Sequence, residues 1–317
     1  MKEHILVTGG AGFIGSNLAE SLVNQEYEVT VLDNLVAGSL ENVKTFQDKE
    51  NFKLVKGDVA DRDLVDKVTQ GVDAIFHLAA RIHVDESRSK TLEYFETNVK
   101  GTVNILDMAL KNNVKKVIFA SSSEVYGTCI HSPMDENHPL MPRSPYAASK
   151  VAADRICFAY YNTFGQDVTI VRSFNVFGPR QRSTNSGGVV AIFTDRVMNG
   201  LPPKIFGDGT QSRDYMYVED AVQAYNLVFS KNKLKGEAFN FGTGRDISLN
   251  EIAEKVIEFC GKTGLNPEHT VGRPGEVQKF CADYSKANKT LGFKPKYTFE
   301  EGLKKYIEWF KNRSVTK

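Results

Sequence analysis

Tyr146 and Lys150 stand four residues apart in the run Pro145-Tyr146-Ala147-Ala148-Ser149-Lys150. Helical residues at i and i+4 share a face, so a helix over 145–164 projects the phenol and the ammonium together. A phenol with a pKa near ~10 is a poor base at neutral pH. A neighbouring positive charge favours phenolate, and a downward shift of about 3 units corresponds to ~4 kcal/mol of electrostatic stabilisation. The pair is a candidate for moving a proton on and off a hydroxyl. Upstream of it, Ala120-Ser121-Ser122-Ser123-Glu124-Val125-Tyr126-Gly127 follows an apolar run. That segment brings hydroxyls and a carboxylate to the end of a buried strand.

A second group suits an anion. Thr8-Gly9-Gly10-Ala11-Gly12-Phe13-Ile14-Gly15 follows a strand-like run and opens a helical one. Gly9, Gly12 and Gly15 have the spacing of a turn whose backbone must approach a pyrophosphate, with the helix N-terminus supplying N–H groups and a positive dipole end. Asp33 ends the next strand, where a carboxylate receives the adenosine ribose hydroxyls of a dinucleotide. It repels a 2′-phosphate, and Asn34-Leu35 supplies no arginine to offset that, so the cofactor expected is NAD. Asp58, with Val59 beside it, is placed to reach the adenine amino group. His77-Leu78-Ala79-Ala80 ends a fourth strand in small residues over which the cofactor can lie.

The elements that must position these groups follow from periodicity. Strand-like runs at 5–7, 28–32, 52–55, 74–78, 117–120 and 168–172 alternate with helical patterns at 13–25, 61–69, 92–112 and 145–164. Repeated strand–helix–strand units predict the α/β class: a Rossmann-type, doubly wound parallel sheet. After 177–179 the texture changes to a polar loop at 180–188 and shorter elements: helices at 190–199, 220–230, 250–261 and 299–311, and a strand at 204–206. The expected division is an NAD-binding domain over 1–178 and a smaller mixed α/β substrate lobe over 179–317, with the chain free to recross between them. Composition narrows the function. Lys plus Arg is 40 against 39 Asp plus Glu in 317 residues, a net charge of +1, which makes no case for nucleic acid or an anionic membrane surface. No apolar run reaches the ~20 residues of a spanning helix, and the first residues lack a signal peptide's apolar stretch. The four cysteines, Cys129, Cys157, Cys260 and Cys281, are scattered without C-x-x-C spacing. They read as reduced thiols of a cytoplasmic protein, with no metal site.

Taken in order, TGGAGFIG, LDN, GDV, HLAA, SSSEVYG and YAASK resemble the extended short-chain dehydrogenase/reductase family of NAD-dependent nucleotide-sugar epimerases and dehydratases. RSFNVFGP (172–179), GDGTQSRDY (207–215), FGTG (241–244) and RPGE (273–276) agree with it, so the resemblance covers nearly the whole chain. It implies a sugar C4 oxidised by NAD⁺, with Tyr146 as base, Lys150 orienting the nicotinamide ribose, and Ser122 hydrogen-bonding the 4-oxygen. It also implies that Asn98 belongs to the cofactor site and that Asn175, Val189 and Phe206 line the substrate site. Arg213 and Arg273 match arginines that grip the diphosphate of a nucleotide sugar, a task suited to charge-assisted bidentate bonds. The family usually forms homodimers through helices like 92–112 and 145–164.

The reaction turns on Glu124. A 4-epimerase returns hydride to the other face of C4; a 4,6-dehydratase needs a second base to remove the C5 proton before water leaves C6. A carboxylate at 124 resembles the dehydratase pattern, as do 83–87 and 95–99. Ser123 departs from the aspartate of glucose-type dehydratases but resembles mannose-type ones. The expectation is an NDP-sugar 4,6-dehydratase, with the 4-epimerase as alternative. A sugar-acid decarboxylase also shows Ser-Glu here but has a different tyrosine–lysine segment, and a non-catalytic NAD sensor usually lacks the tyrosine or lysine.

Overall fold

The computed structural model describes residues 2–184, 187–232, 234, 236–272 and 277–315. The chain opens with β1 (His4–Thr8), α1 (Phe13–Asn24), β2 (Glu28–Asp33), β3 (Phe52–Lys56), α2 (Arg62–Thr69) and β4 (Ala74–His77). Next come α3 (Val84–Ser89), α4 (Thr91–Phe95), α5 (Gly101–Lys111), β5 (Lys116–Ala120), α6 (Pro145–Phe164) and β6 (Val168–Ser173). The remainder supplies β7 (Asn175–Phe177), α7 (Val189–Met198), β8 (Lys204–Phe206), β9 (Ser212–Tyr217), α8 (Val218–Ser230), β10 (Ala238–Phe241) and β11 (Asp246–Ser248). It closes with α9 (Leu249–Cys260), β12 (Glu268–Thr270), β13 (Lys279–Phe280), α10 (Ser285–Leu291) and α11 (Phe299–Val315).

Seven strands form one sheet in the order β10-β6-β5-β4-β1-β2-β3. The strands β1 to β6 pair in parallel. The strand order reverses at β1, beside β4, which makes the ends of these two strands the place where a doubly wound sheet binds its ligand. The centre of the sheet is apolar on both faces: Leu6, Ile75, Val117 and Ile170 are buried on one with Leu106 and Ala153 of the covering helices, and Phe76 packs on the other against Tyr225 and Phe229 of α8.

Local sequence sets the helix ends. Ser144 caps α6, its hydroxyl accepting from Ala147 N (3.1 Å), and Pro145 takes the first turn, where a missing N–H costs nothing. Asp61 caps α2 in the same way through Leu64 N (3.1 Å). The single helix expected over 92–112 is instead α4 and α5 joined by a π-turn, Glu96–Lys100. Tertiary bonds to Asn98, described below, hold that bulge open, and the 3.6-residue pattern does not show them.

The chain divides into two compact units: residues 1–127, 139–173 and 222–239 form the first, and 128–138, 174–221 and 240–317 the second. In the second, β9 is the central strand, with β11 antiparallel to it and β13 and β7 parallel to it. A separate parallel pair joins β12 and β8. Among the described residues, no helix is long and apolar enough to cross a membrane.

Candidate active site

The turn between β1 and α1 is shaped by what its glycines lack. Gly9 has φ +71°, and a Cβ there would lie 2.7 Å from Ala79 N. A Cβ on Gly15 would collide with the Gly9 carbonyl oxygen, so only this sequence lets the helix start so close to the strand. Gly12 is the N-cap of α1 and offers no side-chain acceptor, and the first turn carries no acidic residue. Phe13 and Ile14 form that first turn, half-buried. The N–H groups and dipole end of α1 therefore have no side-chain cap, as a phosphate site requires.

Asp33, buried at the end of β2, is fixed by Ala11 N on Oδ2 (2.9 Å) and Leu35 N on Oδ1 (2.8 Å). A Cβ at Gly38 would stand 2.7 Å from Asp33 Oδ1, so glycine there leaves room beside the carboxylate. Asn34 donates to Asp58 Oδ2 (2.7 Å), while Asp58 Oδ1 accepts from Ala60 N (2.9 Å). Val59 is buried against Gly101 of α5. Leu78, Ala79 and Ala80 continue beyond β4, half-buried. These residues fit a dinucleotide: a phosphate cradle that side chains would fill, and a held carboxylate with space beside it.

The catalytic candidates meet at the ends of β5 and α6. Ser122 caps a short 3₁₀ turn, Ser123–Val125, its Oγ accepting from Glu124 N (3.2 Å). The same hydroxyl hydrogen-bonds the Tyr146 phenol, and the Glu124 carboxylate is close enough to act on that phenol electrostatically. Ser123 faces inward and is buried, whereas Glu124 is half-exposed. Tyr146 is only 8% exposed. Burial pushes its phenol up to about 12; the Ser122 bond opposes this and the Glu124 charge adds to it. The spacing of Tyr146 and Lys150 predicts the opposite, a lowered phenol. Lys150 Nζ instead donates to Ala120 O (2.5 Å) and lies 4.4 Å from the Phe119 ring centroid. Burial pushes it down to about 8, against the negative charge of Asp154. Burial therefore favours the neutral phenol, and a positive charge beside it is what would lower its pKa.

Asn98 sits in the π-turn, and its amide is occupied within the protein. It exchanges bonds with the Arg81 backbone, accepting from Arg81 N (2.8 Å) and donating to Arg81 O (3.0 Å), and donates to Ser149 Oγ (2.9 Å). Ser149 donates in turn to Tyr146 O (2.7 Å). A second chain supports it. Thr102 Oγ1 donates to Asn98 O (2.6 Å), so it accepts from His77 Nε2 (3.0 Å), and His77 Nδ1 accepts from Thr8 Oγ1 (2.7 Å). Thr8 Oγ1 accepts from Ala79 N (3.2 Å). This fixes one neutral tautomer of His77, whose pKa burial and the Lys150 charge push down to about 3. Spacing alone does not single out Ser149, Thr102 or Gly38 as parts of the site, because each acts through a partner far away in the sequence.

In the second unit, Asn175 is on β7 and Arg213 on β9, and the register pairs Asn175 with Tyr215. Arg213 is therefore two residues from Asn175's partner, on the same face of β9 as Tyr215. Its Nη1 donates to Ser212 O (2.8 Å), and its guanidinium lies 5.0 Å from the Phe280 ring centroid. Phe206 ends β8 and Val189 begins α7. Arg273 lies outside the described residues.

A parallel sheet with an uncapped glycine turn, a fixed acidic strand end and a Ser–Tyr–Lys group defines a dinucleotide-dependent short-chain dehydrogenase/reductase. The sequence profile of the GDP-mannose 4,6 dehydratase family matches residues 6–306, and the chain belongs to that family. It is 35% identical to a dTDP-glucose 4,6-dehydratase of Streptomyces niveus, over 97% of this chain and 93% of that one. Among solved structures it resembles the UDP-glucose 4-epimerase of Thermotoga maritima with UDP-glucose (36% identity, TM-score 0.93, 98% of this chain and 99% of that one). It also resembles the dTDP-glucose 4,6-dehydratase of Streptomyces venezuelae with NAD bound (32%, TM-score 0.92, 99% and 98%). The protein is an enzyme of the NAD-dependent nucleotide-sugar dehydratase and epimerase type.

Proposed function

We propose that the protein is an NDP-sugar 4,6-dehydratase, and the observation that carries this reading is the Glu124 carboxylate on the Ser122–Tyr146 group. NAD would be held by the Gly9–Gly15 turn, Asp33 and Asp58, with Lys150 on the nicotinamide ribose. NAD held there would supply the acceptor for hydride from sugar C4 and the donor for its return. Tyr146 accepts the proton of the 4-hydroxyl, and Ser122 orients that oxygen. The resulting 4-ketone acidifies C5–H; Glu124 removes that proton and delivers it to the 6-hydroxyl, which leaves as water, after which hydride returns to C6 and a proton from solvent to C5. Glu124 disfavours the phenolate of Tyr146 and so does not help that group to act as a base; a separate role as the C5 base accounts for a carboxylate at this place. Arg213 of the second unit would grip the diphosphate.

A 4-epimerase is the second reading. It is favoured by Ser123, which is a buried serine where glucose-type dehydratases carry an acid, and by the likeness to the Thermotoga maritima epimerase. Turnover in D₂O separates the two. The dehydratase places deuterium at C5 and loses oxygen from C6; Glu124→Gln still reduces NAD transiently but releases no water. An intact 6-hydroxyl, protium at C5 and inversion at C4 would establish the epimerase instead. Exposed Leu92 and Phe95 of α4, with Phe158 and Phe164 of α6, support a homodimer through these helices. Free thiols at all four cysteines support the cytoplasm.

A further inference from the structure

Beneath the catalytic loop lies an ion pair that the proposed chemistry does not use. Asp154 is on α6, four residues after Lys150, and Arg172 is on β6; both are buried. Arg172 donates from Nε to Asp154 Oδ2 (3.0 Å) and from Nη2 to Oδ1 (3.0 Å), the bidentate geometry of a planar fork. Burial alone would raise the Asp154 carboxyl, yet the Arg172 bonds hold it below its ordinary value. Each partner also bonds the loop between them. Asp154 Oδ2 accepts from Ser121 Oγ (2.7 Å), and Arg172 Nη1 donates to Tyr126 OH (3.0 Å). Arg155 also reaches Asp154, with Nε at 2.9 Å from Oδ1.

Ser121 and Tyr126 are the two ends of the segment that presents Ser122 and Glu124. Between them the backbone makes single-turn bonds: Val125 N to Ser122 O (3.3 Å), Tyr126 N to Ser123 O (3.1 Å) and Gly127 N to Glu124 O (3.2 Å). A lone 3₁₀ turn of this kind is weakly held by itself. A buried ion pair, moreover, contributes little net stability compared with an apolar pair of the same volume. The arrangement makes sense through what it fixes.

We propose that the Asp154–Arg172 pair is a positioning device, clamping both ends of the 121–126 loop so that Ser122 and Glu124 are held against the Tyr146 face of α6. This rests on the reading of Ser122 and Glu124 as acting groups. Ser121→Ala and Tyr126→Phe each remove one hydroxyl and leave the ion pair whole, and Ser121→Thr restores the hydroxyl. An Asp154→Leu/Arg172→Met double variant replaces the pair by apolar groups and removes both tethers; because Lys150 and Arg155 also lose the Asp154 charge, its exchange is the readout that counts and kcat is judged on the two hydroxyl variants. Two readouts are compared: amide hydrogen exchange of the NAD-free protein, and kcat against KM for the sugar nucleotide that the wild type turns over.

The expected result is local. Exchange at 122–127 rises about tenfold or more in Ser121→Ala, Tyr126→Phe and the double variant, while β5 and β6 keep their protection. In the two hydroxyl variants kcat falls roughly 5- to 100-fold, the range in which small misplacements of reacting groups act, with KM within about twofold. Ser121→Thr recovers both. Unchanged loop exchange, or exchange that rises equally through β5 and β6, overturns the clamp, as does full kcat in a hydroxyl variant whose loop is loosened. If the wild type turns over no nucleotide sugar, the proposed function fails, and loop exchange still decides whether the clamp exists.

Discussion

The glycine turn and the tyrosine–lysine group lie in the same unit but rest on different physics. The turn works through backbone: missing Cβ atoms, uncapped N–H groups, and an aspartate fixed by Ala11 N and Leu35 N. Its properties rest on main-chain geometry, including the close approach of Gly9 to the Ala79 backbone. The catalytic group works through burial. Tyr146 is pushed up to about 12 and Lys150 down to about 8, both away from their charged forms. Cofactor binding is thus built into shape, whereas proton transfer waits for a charge to arrive. The difference teaches that damage to the turn is all-or-none for the cofactor, while damage to the tyrosine–lysine group separates binding from rate.

The sharpest test of that contrast is Tyr146→Phe, which keeps the ring and its packing. Turnover should fall about 10²–10⁴-fold, the usual worth of a positioned acid–base group, with NAD affinity nearly unchanged in a titration. Near-wild-type turnover would take the base out of Tyr146. At the turn, Gly9→Val places a branched side chain at φ +71° against the Ala79 backbone. NAD affinity should fall at least ~100-fold by calorimetry, accompanied by a loss of roughly 1–3 kcal/mol in stability from the strained backbone. Wild-type NAD affinity there would mean that shape does not govern binding.

Arg213→Ala should leave both regions intact. It is expected to weaken the sugar nucleotide by about 2–4 kcal/mol, the loss of a charge-assisted partner, without touching NAD affinity. The reverse pattern would move Arg213 to the cofactor. The smallest expected effect concerns stability. Lys150 has a folded pKa of about 8 against an ordinary 10.5, so between these values the unfolded chain binds more protons and stability rises with pH. Below pH 8 the buried ammonium costs folding on the order of 1–3 kcal/mol. Lys150→Met should therefore stabilise the protein at pH 7 by that amount while abolishing turnover, and its advantage should shrink as pH rises from 8 to 10.5. Denaturant titrations at several pH values measure this; a pH-independent difference would show that Lys150 is not penalised by burial.

Much of the arrangement is legible in the amino-acid sequence. Ser144 and Pro145 start α6, as their types demand, and the strand–helix alternation from 5 to 172 reads directly as the parallel sheet. The break within 92–112 is not legible, because the apolar period there is continuous while Asn98 bonds to Arg81 and Ser149 far away in sequence. Asn98 is expected at the cofactor site through the family resemblance alone, and its employment in bracing the Arg81 backbone is not legible. Strands β7, β10, β11, β12 and β13 also escape a reading of the periodicity because they run four residues or fewer, and β9, though six residues long, lacks a clear alternation of its own.

The sequence by itself determined the class of enzyme and the glycine turn with its acidic strand end, and it singled out the tyrosine–lysine–serine–glutamate set as the candidates for chemistry. Each of these is a local pattern whose physical meaning is carried by a few neighbouring residues. Only the tertiary structure decided that burial moves Tyr146 and Lys150 away from their charged forms, that His77 is neutral in one tautomer, and that Asp154 and Arg172 hold the ends of the catalytic loop. Those properties depend on desolvation and on hydrogen bonds between elements distant in the chain, and no spacing along one segment encodes either.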